Sequence, residues 1–172
     1  LVTAVFVARI EPINAARLAR LDALVARAAP DPPRLEDVVD SLVRPSFEAW
    51  RQSEALGRPA TPHLLAQLHA DRAARLEDLK RRLFEPLMER YLDVLARILP
   101  DQDGEALRVG LAFVIGVMLH VVGGHLDAGA GEAASRGDEE DEALLERLVA
   151  FAVAGLRAGR PSRQRGAGEG VR

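Results

Sequence analysis

The 172-residue chain is 48% hydrophobic with a formal net charge of −3, which fits one domain with a sizeable core and gives no general attraction to nucleic acid. Cysteine is absent, so disulfides, thiol chemistry and thiolate metal sites are excluded, and a reducing cytoplasm is a compatible home. The richest apolar stretch, Val109 to Val122, falls short of the roughly 18–20 residues of a membrane span and contains His120, so a soluble domain is expected. Arginine supplies nearly all the basic charge, with Lys80 the only lysine. Together with abundant Ala, Gly and Leu this points to a GC-rich bacterial coding sequence, a statement about codons rather than function.

In the first segment, Leu1 to about Ala28, apolar residues recur at Val2, Val5, Phe6, Ile10, Ile13, Leu18, Leu21, Leu24 and Val25, the three-and-four spacing of one helix face. Nothing ahead of Val2 can cap that helix, and the first residue is leucine, so its start is expected upstream in a longer protein. The run from Ala29 to Pro33 (APDPP) ends it. A second helix is predicted over about Arg34 to Gln52, with Asp31 as its cap and Glu36 and Asp37 complementing its dipole. Its face reads Leu35, Val38, Val39, Leu42, Val43, Phe47 and Trp50.

Gly57, Pro59 and Pro62 break the pattern before a short helix from about Pro62 to Asp71. The next segment, about Arg72 to Leu99, fits one long helix or two with a bend. It carries Leu76, Leu79, Leu83 and Leu87 in one row and Phe84, Met88, Tyr91, Leu95 and Ile98 in another. Residues 100–104 (PDQDG) form a turn. The fifth helix, about Glu105 to Leu126, has His120 as its only polar side chain between Val109 and Val122. A helix apolar all round requires cover all round, and the chain has few helices to supply it, so a second subunit is expected. A Gly/Ala-rich loop, Ala128 to Gly137, leads to the last helix, about Asp138 to Ala158, acidic at its start and closed by Arg157, Gly159 and Pro161. From Arg160 onward the polar, basic tail is predicted to be disordered, leaving residues 1–159 as the domain. No segment keeps a period of two, so the predicted fold is all-α, with about six helices.

Pro12, Pro45 and Pro86 fall inside helical patterns. They mark either helix ends or kinks that bow the helices apart around a cavity. Beside the second and third lie Phe47, Trp50, Phe84, Met88 and Tyr91; with His69 and Met118 these are candidate lining residues for a small, apolar ligand. Packing into the core is the plainer role for each residue singly. The four histidines, His63, His69, His120 and His125, are not spaced to put two imidazoles on one helix face. No Glu-x-x-His, His-Glu-x-x-His or Gly-x-Ser-x-Gly is present. The acidic run 138–142 is accounted for by the helix dipole rather than a metal, and the cluster Lys80, Arg81 and Arg82 by a solvated face. An enzyme is not expected, and no cofactor or metal is assigned.

Three phrases carry a resemblance: LVTAVFVARIEPIN at 1–14 followed by RLARLDAL at 17–24, then LVRP at 42–45 with LFEPLMERY at 83–91, and LLERLVAF at 144–151. In this order they resemble the regulatory domain of TetR-family transcriptional regulators, the first phrase being similar to the helix that follows the family's helix-turn-helix. The resemblance covers about Leu1 to Ala158. It implies an effector-binding, homodimerising domain of a cytoplasmic bacterial regulator, commonly a repressor, with DNA contacted only through an N-terminal domain outside this sequence. By the same resemblance the last two long helices pair with those of a second subunit. The expected interface residues are Gly110, Phe113, Val117, His120, Leu145, Leu148, Phe151 and Ala152. A stand-alone helical protein–protein interaction domain is the competing reading.

Overall fold

The structure, a computed structural model, describes residues 2–55, 74–122 and 138–159. Within them are five helices and no strand: α1 (Val2–Ala28), α2 (Leu35–Ala55), α3 (Ala74–Ile98), α4 (Gly104–Val122) and α5 (Asp138–Ala158). The sixth expected helix, Pro62 to Asp71, lies outside the described residues. So do the loop 128–137, the tail 160–172, and His63, His69 and His125.

Helix ends follow backbone chemistry. Asp103 caps α4: its side chain accepts the Ala106 N–H at 2.8 Å and its carbonyl accepts that of Leu107 at 3.1 Å. At α2 the first bond runs from the Val38 N–H to the Arg34 carbonyl, so Arg34 occupies the capping position expected for Asp31. The α3–α4 turn is tied to the end of α5 by Gln102, which donates to the Leu156 carbonyl at 2.5 Å. The fourth predicted segment is one continuous helix over Ala74–Ile98.

Helix α2 packs against all four other helices, which is why its predicted face, Leu35 through Trp50, is wholly buried. Phe47 and Trp50 meet edge to face, 6.0 Å between centroids. Ion pairs Glu36–Arg157, Arg44–Glu142 and Arg51–Asp138 link α2 to α5 with residue numbers running in opposite senses, so these two helices are antiparallel. Along α1 and α3 the pairs Asn14–Leu83, Asp22–Arg90 and Pro30–Arg97 rise together, so these two are parallel.

Helix α4 turns Leu107, Leu111, Val114, Met118, Val121 and Val122 inward and leaves Val109 and Phe113 exposed. Its 19 residues are long and apolar enough to cross a membrane by length and composition, which corrects the expectation drawn from the uninterrupted apolar run alone. Here it packs against α2, α3 and α5, as a core helix of the same composition does.

Candidate functional site

All three prolines lie inside continuous helices, so they are not helix ends. A proline ring withdraws one N–H and disturbs the turn before it. At both Pro45 and Pro86 the carbonyl three residues earlier is met by a side chain of α1. Arg17 Nε donates to the Leu42 carbonyl at 2.8 Å, and Asn14 Nδ2 donates to that of Leu83 at 2.8 Å. Arg17 Nη1 also donates to Asn14 Oδ1 at 3.0 Å, so one buried polar pair on α1 bridges the proline turns of α2 and α3.

Arg17 Nη2 further donates to Ser46 Oγ at 2.6 Å and reaches Met118 Sδ on α4 at 3.4 Å. Burial lowers the Arg17 pKa to about 10, with a smaller opposing influence from Tyr91, and the group remains a cation at neutral pH. Behind it the Tyr91 hydroxyl lies 2.9 Å from Ser41 Oγ and donates to the Arg17 carbonyl at 3.4 Å. Burial pushes the Tyr91 phenol up to about 12, against the hydrogen bond from Ser41 and nearby cations.

In front of Arg17 a cavity of about 340 Å³ opens between α1, α2, α3 and α4. Leu42, Phe84, Leu87, Met88, Ile115 and Leu119 form its apolar wall, and Ala112 and Gly116 its exposed rim. Of the candidate ligand residues, Phe84, Met88 and Met118 line this cavity, whereas Phe47, Trp50 and Tyr91 do not. Those three are buried in the core. Arg17 and Asn14 escaped the sequence reading, although the signal was present. Ile10, Asn14, Arg17 and Leu21 follow a four-three-four spacing, so both polar residues sit in a buried row and required partners there.

A second apolar surface lies on the outer side of α4 and α5. Gly110, Phe113, Val117, Phe151 and Ala152 line a shallow groove there with Gly116, Gly155 and Leu156. Phe113 is 69% exposed and Phe151 66%. The helices approach closely at Gly110, where an added Cβ would stand 2.9 Å from Leu156 Cδ2. The other residues expected at an interface do not reach the groove. Leu145 and Leu148 turn inward into the chain's own core because α5 must cover α2, and His120 is exposed on α4 away from the groove-lining set. Ala112 and Gly116 border both groove and cavity.

The acidic start of α5 is engaged structurally. Glu142 takes a two-toothed contact from Arg44 at 2.8 and 3.0 Å, which holds its carboxyl below the usual range. Among the described residues no group of three or more His, Asp or Glu is placed to hold a metal ion. The family model described as the tetracycline-repressor-like C-terminal domain matches residues 40–155, from within α2 to within α5. No curated protein matches the chain.

Proposed function

The chain belongs to the family of tetracycline-repressor-like C-terminal domains, and from that premise we propose that it senses a small molecule and homodimerises as the regulatory domain of a cytoplasmic bacterial transcriptional regulator. The observation that carries the reading is the cavity walled by four helices, one of which is α1. Its volume lies within the range of small-molecule sites, and its wall is apolar with a few convergent polar atoms. In regulators of this architecture the DNA-reading helix-turn-helix stands on the N-terminal side of α1. A ligand touching Arg17 therefore acts on the helix nearest the DNA-reading end. It changes DNA binding only to the extent that it prefers one arrangement of that helix over another.

A second copy of the chain is the occupant we assign to the α4–α5 groove, because the family implies dimerisation and the groove exposes two large aromatics. Since Ala112 and Gly116 border both features, pairing there would narrow the mouth of the cavity and couple the two events.

Thermal shift of the purified domain against a panel of small hydrophobic and aromatic molecules tests the sensing role. A binder raises the melting temperature in a saturable way by stabilising the folded state, and Ala112→Trp, which obstructs the cavity mouth, abolishes the shift. A panel without effect, or a shift that survives this substitution unchanged, would remove the cavity as the sensing site. Light scattering tests the pairing: a monomer associating with an unrelated protein would instead favour a stand-alone interaction domain.

A further inference from the structure

Among the described residues the cavity wall carries one charged side chain, Arg17, and no carboxylate is bonded to it. Arg17 is 4% exposed, yet its four acceptors, the Leu42 carbonyl, Asn14 Oδ1, Ser46 Oγ and Met118 Sδ, are all neutral. On the surface the rule is different: Arg20, Arg44, Arg90 and Arg157 each have a carboxylate at 2.8 Å. Desolvating a cation without a counter-charge is costly, and bridging a carbonyl, a hydroxyl and an amide does not require one. A guanidinium carries five N–H donors, of which these contacts use four. Arg17, with this one donor on Nη1 unused and no carboxylate bonded to it among the described residues, lines a largely apolar cavity, where positive potential is weakly screened.

We propose that the cavity takes an amphipathic organic anion, its apolar body against Phe84, Leu87, Met88 and Leu119 and its carboxylate against the Arg17 guanidinium. This specifies the ligand class and rests on the sensing role proposed above. The carboxylate supplies the missing counter-charge through charge-assisted hydrogen bonds. A carboxylate that engages both Nη1 and Nη2 also competes with Ser46 and Met118 for Nη2, so occupancy would alter how α1 is tied to α2 and α4.

The test compares three probes with one apolar body, 4-phenylbutanoate, 4-phenylbutanamide and 4-phenylbutylamine, by calorimetric titration and thermal shift on the purified domain at neutral pH. The carboxylate should bind roughly 10- to 100-fold more tightly than the amide, and the ammonium should bind more weakly than either. Arg17→Gln should erase the preference for the acid, while Arg17→Lys should retain part of it. Equal binding of acid and amide to the wild-type protein would overturn the anion assignment and leave a sensor of neutral ligands. No binding by any of the three would overturn both the assignment and the sensing role. The wild-type comparison decides the question even where the Arg17 variants do not fold.

Discussion

Replacing Phe113 with aspartate should separate pairing from folding. Phe113 stands 69% exposed on the α4 face, which for an aromatic residue of roughly 200 Å² leaves ~140 Å² in water, or about 3.5 kcal/mol of burial at ~25 cal/mol/Å² once covered. A two-fold interface contains every residue twice, so up to about 7 kcal/mol is at stake. Incomplete coverage and the entropy of association reduce what is measured. A loss of ~3–4 kcal/mol, an increase in dimer Kd of about 100- to 1000-fold, is the expected outcome for Phe113→Asp. Sedimentation velocity or light scattering over a dilution series reads it directly. Because the ring is mostly outside the chain's own core, the melting temperature under monomeric conditions should shift by no more than about 2 °C. A variant that dimerises as tightly as the wild type, or a wild type that is monomeric at every concentration, would refute the assignment of this face.

Other expectations concern the interior and the ion pairs. Phe47→Ala removes a fully buried ring from the T-shaped pair with Trp50 and should cost about 3–5 kcal/mol in urea unfolding; a loss below about 1 kcal/mol would contradict its central place. Asn14→Leu leaves the Leu83 carbonyl without its side-chain donor and Arg17 Nη1 without an acceptor. The expected loss is about 1–3 kcal/mol, and a variant as stable as the wild type would show that water replaces Asn14. The hydrogen bond from Arg44 depresses the Glu142 carboxyl. Its contribution is therefore complete above the ordinary glutamate value of 4.5 and is lost as pH falls through the lower folded-state value. For this half-exposed pair, Glu142→Gln should lower the melting temperature by about 1–3 °C at neutral pH, and the gap should close in acid. A gap that widens on acidification would reverse the sign of this linkage.

The described helices and their order were legible in the sequence because they rest on local apolar periodicity, and the family, whose model matches residues 40–155, through the resemblance of three short phrases. The buried face of α2, from Leu35 to Trp50, shows the same local origin. The prolines were legible as features but not in their meaning, since deciding between a helix end and a continuous helix required the partner that meets the disturbed turn. That partner is α1, whose Asn14 and Arg17 lie 69 and 25 residues from the carbonyls they bond. No short-range pattern encodes such a contact.

Site assignments divided along the same line. Phe84, Met88 and Met118 reached the cavity wall, while Phe47 and Trp50 became core because α2 is enclosed by four helices, and Tyr91 because it packs from α3 against Ser41 of α2. On α5, apolar character alone could not tell Leu145 and Leu148, which face α2 and the core, from Phe151, which faces outward. The sequence by itself determined that this chain is a set of amphipathic helices with one unusually apolar member. Only the tertiary structure decided which apolar faces were spent inside the chain and which remained outside. It also placed a buried guanidinium, that of Arg17, at a cavity, because burial and charge compensation depend on what other helices bring to the same point.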